Sequence, residues 1–364
     1  MLTKADDFPV HQTPEPIAFA GQDRNFYDRY FFNGYTADRS VFFAVAMGFY
    51  PQLGIADAAF SLVIDGVQHN IRASRHLVGG ERLDLSVGPI HIEIVAALQQ
   101  IRLKLADNDS SISAELTFDA RHQPIEEPRF IRRNGTRLFM DYTRMTQNGG
   151  WSGTIRTPAG PIVLDPVATM GTRDRSWGIR PVGAPEPQPP PQGNFGQFFW
   201  LWSPCNFPAH AVFAHTNDDA AGLPWNRRAV VAPLDGAMVD VDEVHLALRY
   251  APGGRRVAEA RVTLGSRGEL IVKPSDVHFY MHGLGYTHPV WGHGMDHGPL
   301  EVTHDSITLS ALNDLAPENL HIQALSDAWL HWDGAEHRGS GILEQLLIGP
   351  HQPSGFTGLL DGAR

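Results

Sequence analysis

Glycine and proline interrupt this chain throughout: 36 glycines and 27 prolines are spread over 364 residues, and neither half contains a clear long amphipathic helix. Punctuation that dense breaks helices and suits many short strands joined by turns. Residues 82–87, 90–96, 101–106 and 111–118 read as successive strands, separated by Gly88-Pro89 and by Asp107-Asn108-Asp109. Asp65-Gly66, between 59–64 and 67–73, is a hairpin signature, because it supplies the positive φ that a two-residue turn needs. The near-even spacing predicts an antiparallel sandwich or barrel. Residues 137–145 have mixed character and fit a helix or a strand, whereas 151–157 and 161–167 resume the alternation.

The second half repeats this style from 195–202 onward to 339–348. Between the halves, 181–192 (PVGAPEPQPPPQ) can form neither a sheet interior nor a compact helix. The expected organisation is an extended arm over 1–22, a β-domain over 23–180, a proline-rich linker over 181–192 and a second β-domain over 193–364. The fold class is all-β.

With 42% hydrophobic and 19% charged residues, the chain is globular and long enough for two cores. A net charge of −11 argues against a nucleic-acid backbone or an anionic membrane as partner. The single cysteine, Cys205, rules out an internal disulfide and fits a reducing compartment. The start carries no signal-peptide pattern, and the longest apolar run, 41–50, is far below spanning length. A soluble cytoplasmic protein is expected, with a homodimer left open.

Three stretches hold the chemistry-bearing residues. Residues 171–180 (GTRDRSWGIR) combine Asp174 with Arg173, Arg175, Arg180 and Trp177. Residues 278–304 carry His278, His282, His288, His293, His297 and His304 among five glycines that allow sharp turns. Imidazole ligates metals, but this spacing matches no helical zinc motif, and histidines lining a pocket are the favoured reading. After the linker, Phe199, Trp200 and Trp202 belong to an aromatic run that reads as a core or as the wall of an apolar slot. Gln197, Ser203, Asn206 and His215 would be that slot's polar contacts. Cys205 reads as a small buried residue and Glu126-Glu127 as a solvated turn. There is no G-x-S-x-G elbow, P-loop or dinucleotide fingerprint.

Asp174-Arg175-Ser176-Trp177-Gly178 resembles the D-x-x-W-G element of a lipocalin-like (calycin) superfamily. That group includes carotenoid 1,2-hydratases, AttH-type proteins, tocopherol cyclases and Diels–Alderase-type cyclases. Residues 283–294 (GLGYTHPVWGHG) are similar to a signature of uncharacterised bacterial two-domain members. The resemblance implies two lipocalin-like antiparallel β-barrel or sandwich domains packed side by side, with an apolar pocket at or near their junction. It also implies cofactor-free hydration, cyclisation or isomerisation of hydrophobic, often isoprenoid or polycyclic, molecules. Asp174 and Trp177 match the element's acid and aromatic, while Arg175 stands where relatives often have His or Lys.

Such chemistry needs a strong acid to protonate carbon and a dry cavity to host a cation. Arg173 and Arg175 would hold Asp174 ionised, so they must point away from it, or the acid is a histidinium from 282–293. The leading reading is a lyase or isomerase, with Asp174, Tyr286, His288 and His293 as its catalytic set. Trp177, Arg175, Phe199, Trp200, Trp202, His282 and Trp291 would contact the substrate. The alternatives are a hydrophobic-ligand carrier, favoured if an arginine clamps Asp174, and a metal-dependent enzyme using the histidines.

Overall fold

The computed structural model describes residues 3–9, 21–78, 83–186 and 196–363. The chain divides into two compact units, Met1–Gln192 with His282–Thr308, and Gly193–Met281 with Leu309–Arg364. Each is built on one curled antiparallel sheet, so the protein is all-β with two lipocalin-like half-barrel domains.

The first unit opens with β1 (Phe26–Thr36), β2 (Val41–Tyr50), β3 (Ile55–Ile64) and β4 (Val67–His76). Asp65 and Gly66 take φ values of 51° and 73° and close β3 onto β4 as a two-residue hairpin. Every position of β2 is buried, which explains its unbroken apolar run: both faces are covered. Next come β5 (Ser86–Val87), β6 (Ile90–Ala96), β7 (Gln100–Leu105), β8 (Ser113–Ala120), β9 (Ile125–Glu126) and β10 (Phe130–Asn134). The unit's first segment then ends with β11 (Arg137–Thr157), β12 (Gly160–Leu164) and β13 (Thr169–Ile179).

Residues 137–145 and 151–157 belong to one strand, β11, of 21 residues. Gly149, between those segments, makes room for an aromatic ring. Gly149 pairs with Gly171 of β13, and Gly171 pairs with Gly34 of β1. A Cβ at Gly34 or Gly171 would strike the Trp151 indole, and one at Gly149 the Phe118 ring. Trp151 is fully buried in this groove and donates from Nε1 to the Asn33 carbonyl at 2.8 Å.

The main strand order is β21-β4-β3-β2-β1-β13-β11-β8-β7-β6-β5, where β21 is Leu300–Thr308. Residues 282–308 follow the linker and were expected in the second domain, yet they belong to the first unit, and β21 joins its sheet. β21 pairs with β4 from Leu300↔Arg75 to Thr308↔Val67, satisfying a row of backbone groups that an edge strand would leave open.

The arm is also more structured than its composition suggests. Residues 4–7 form a single 3₁₀ turn, and Asp7 is fully buried as the ion-pair partner of Arg173. Arg175 pairs with Asp28 and donates to the carbonyls of Asp6 and Phe8. Residues 1–2 and 10–20 of the arm, 187–192 of the linker and 79–82 lie outside the described residues.

The second unit contains β14 (Phe198–Asn206), β15 (His210–Asp218), β16 (Pro224–Pro233), β17 (Val239–Asp240), β18 (Val244–Tyr250) and β19 (Val257–Leu264). It is completed by β20 (Gly268–Tyr280), β22 (Ile322–Trp332) and β23 (Ala335–Ile348), in the order β17-β16-β15-β14-β23-β22-β20-β19-β18. Its core includes Phe199, Leu201, Leu270, Leu330 and Trp332. Among the described residues no helix is long and apolar enough to cross a membrane.

Candidate functional site

The period of two along β13 sorts the 171–180 stretch onto two faces. Arg173 lies opposite Phe32 and Arg175 opposite Tyr30, on the core side of the sheet, while Asp174 and Ser176 point the other way. The arginines flanking Asp174 therefore do turn away from it. Its partner is Arg144 of β11, whose guanidinium lies 2.5 Å from the carboxylate. Glu127 stands 3.5 Å from the same guanidinium. Asp174 is thus one half of a buried ion pair. Arg175 is fully buried, 3.8 Å from the Tyr30 ring centroid and 6.0 Å from that of Trp177, so the protein itself occupies its guanidinium.

The outer face, away from the core, carries an unusual set of polar groups. Arg29 donates to the Tyr50 hydroxyl at 2.9 Å and to the Leu284 carbonyl at 3.1 Å. Tyr50 donates to Asp57 at 3.1 Å, and Asp57 lies 3.5 Å from Arg29. The Gly294 N–H donates to the other Asp57 oxygen at 2.8 Å. Gly294 has φ of 73°, and Gly285, at 96°, has the Trp291 carbonyl pressed against it, so these two positions need glycine. Burial pushes the Asp57 carboxyl above its ordinary range, against the pull of Arg29, Gly294 and Tyr50. Burial likewise raises Tyr27 to about 12, despite nearby Arg180.

Arg180 and His293 join the two stretches that the sequence singles out. A nitrogen of Arg180 lies 3.0 Å from His293 Nδ1, and His293 Nε2 lies 3.1 Å from the Leu284 carbonyl. A carbonyl only accepts and a guanidinium only donates, so His293 is neutral with its proton on Nε2. The Tyr286 ring meets His293 edge-on at 4.3 Å, with the Arg29 and Arg180 guanidinium carbons 5.3 and 5.6 Å from its centroid. The side chains of Arg180 and Tyr286 also share a hydrogen bond.

His288 has a different task. Its Nδ1 accepts from the N–H groups of Val290 and Trp291 at 3.2 and 2.9 Å, which fixes the loop. Burial, then the charge of Arg72, lowers its pKa to about 4, so this imidazole is neutral at pH 7. Neither His288 nor His293 is a histidinium here. Arg72 donates to the Gly283 and His282 carbonyls and pairs with Asp305 at 2.6 Å. Trp291 stacks on His297 at 3.9 Å and, with Asp57, Arg72 and Leu284, lines a narrow cleft.

Phe199, Trp200 and Trp202 lie in the second unit. Phe199 stacks on His351 at 3.9 Å on the core side, and Trp202 is fully buried. Trp200 donates to Glu344 at 3.0 Å, and Glu344 also receives His321 and Gln323 at 2.7 Å each. Among the described residues, no three His, Cys, Asp or Glu side chains are placed to hold a metal ion.

Sequence reasoning overlooked Arg29, Tyr50, Asp57, Arg72 and Arg144. One usable signal was present: Arg29 and Asp57 are charges set inside aromatic or apolar strands, FYDRYFFNGYT and IADAAFSLVI.

Three solved structures share this fold. Kievitone hydratase from Nectria haematococca aligns with a TM-score of 0.55 at 11% identity, covering 88% of each chain. An AttH-like protein from Nitrosomonas europaea aligns at 0.52 and 12%, covering 92% of this chain and 98% of that one. CghA aligns at 0.52 and 11%, covering 89% and 88%. No curated protein sequence matches. A family model matches residues 2–357 and covers nearly the whole chain, which therefore belongs to the family of unknown function DUF8625.

Proposed function

We propose that this chain is a hydratase, dehydratase or cyclase that uses acid–base chemistry, without a cofactor, on a hydrophobic small molecule. Its reacting centre is Tyr286 on the outer face of the first sheet, with Asp174, His288 and His293 in support. The hydrogen bond between Arg180 and His293 carries this reading, because it brings the acid-and-tryptophan stretch and the glycine–histidine segment to one place. The shared fold with a hydratase supports it at the level of architecture.

Tyr286 would act as the proton carrier. Its oxygen accepts from Arg180, which leaves the phenolic proton to pass to a substrate carbon or leaving oxygen. The phenolate so formed rests against the guanidinium charge. Attack by water, or by another part of the substrate, on the resulting cation releases a proton that returns to Tyr286. His293 orients Tyr286, His288 holds the loop, and Asp174 is held in its pair with Arg144.

The test is turnover of isoprenoid and polycyclic alkenes in water labelled with heavy oxygen. Hydration incorporates the label, and cyclisation changes retention without changing mass. Product formation by the wild type and its loss in Tyr286→Phe are expected. Binding without turnover of any such compound would favour the second reading, a carrier. The Arg144 clamp on Asp174 is the observation on that side, since a carboxylate paired with a guanidinium is held ionised and has no proton to give.

A further inference from the structure

Two guanidinium groups flank Tyr286, but one carboxylate serves them. Asp57 belongs to Arg29, at 3.5 Å. Among the described residues no carboxylate forms an ion pair with Arg180. The groups that touch its guanidinium are uncharged: the His293 Nδ1 lone pair at 3.0 Å, the Tyr27 ring centroid at 4.3 Å and the Tyr286 side chain, with Asp57 and Arg29 acting on it only through their charge. A guanidinium offers five N–H donors in a planar fork. Arg180 is half-buried, whereas Arg29 beside it is 2% exposed with its Nε–H lacking an acceptor. The cluster therefore holds two guanidinium charges and one carboxylate in an aromatic setting, where charge is weakly screened.

We infer that the substrate is an amphiphile whose apolar body ends in an acidic oxygen, carried by a carboxylate, an enolate or a phenolate, and that Arg180 receives that oxygen beside Tyr286. The inference rests on the reaction proposed for the same site and names the class of molecule it takes. A two-oxygen head matches the guanidinium fork bidentately. It would also place the reacting carbon within a short, fixed reach of the phenol, the arrangement that positioning by a remote charged group supplies.

Matched probes test this: 2-naphthoate and 2-naphthamide share one apolar body and differ in charge. Their affinities are measured by calorimetry on the full-length wild type, Arg180→Gln and Arg180→Lys, each checked for folding by its melting curve. The wild type is expected to prefer the acid by roughly 10- to 100-fold, the range of a charge-assisted hydrogen bond. Arg180→Gln should reduce that preference to within about 3-fold and leave amide affinity unchanged. If the glutamine variant fails to fold, the lysine variant, which keeps the charge but loses the fork, should show a reduced preference. Equal affinity for both probes in the wild type, no binding of either, or a preference that survives the substitution overturns the inference. Equal binding with alkene turnover intact removes the acidic head and leaves the reaction standing. Acid preference without turnover does the reverse.

Discussion

Arg180 donates to His293 Nδ1 across 3.0 Å, joining two residues 113 positions apart, while the opposite nitrogen of the ring donates to the Leu284 carbonyl. Both ring nitrogens are engaged, so the imidazole has one tautomer and one orientation. Tyr286, edge-on to that ring, takes its position from it.

Tyr286→Phe removes the proposed proton carrier and keeps the ring that packs against His293. Turnover should fall by roughly 10²- to 10⁴-fold, the usual share of a general acid, while ligand affinity stays within about 3-fold. Steady-state rates and a direct binding titration check this together. Unchanged turnover would remove Tyr286 from the chemistry.

Asp7→Ala leaves Arg173 buried without its carboxylate. Breaking one side of a buried pair destabilises by about 3–5 kcal/mol, readable in urea unfolding. Replacing both partners, Asp7→Leu with Arg173→Met, should recover most of that loss. A single-variant effect below about 1 kcal/mol would mean that the N-terminal turn does not dock on the first sheet in solution.

Gly171→Ala puts a methyl group where Trp151 lies. Overpacking of this kind costs about 1–3 kcal/mol, and a displaced indole should shift its fluorescence. Trp151→Phe in the same chain should relieve part of the strain. If the alanine variant melts with the wild type, the glycine row does not shape this core.

His288 titrates near 4 in the folded chain against 6.5 when unperturbed. Between those values the unfolded chain binds a proton that the folded chain does not. The stability linked to His288 is therefore complete above about pH 6.5, declines as pH falls and is gone near pH 4. Arg72, Asp305, His282 and His297 are the charged or titratable groups around it. His288→Asn keeps an acceptor for the loop N–H groups and cannot titrate. Its melting temperature should fall less steeply than the wild type's between pH 7 and pH 4, and parallel curves would contradict the assignment.

Much of the secondary structure was legible because local pattern governs it. Alternation located β6, β7 and β8, and Asp65-Gly66 located a hairpin. Residues 137–145 and 151–157 read as separate segments, but they are one strand, in which Gly149 leaves the space that the Phe118 ring requires. The candidate site was legible in its parts. The stretch containing Arg180 and the segment containing Tyr286 and His293 were both visible, but their meeting residue was not.

The sequence by itself determined an all-β chain of short antiparallel strands, and it marked the residues whose chemistry stood out. Only the tertiary structure decided that Arg144, 30 residues away, neutralises Asp174 while Arg173 and Arg175 face the core. It alone returned β21 to the edge of β4 and carried the histidine segment with it. The physical reason is the same in each case. Propensity and alternation act over a few residues, whereas strand register and the pairing of buried charges are settled between segments far apart in the chain.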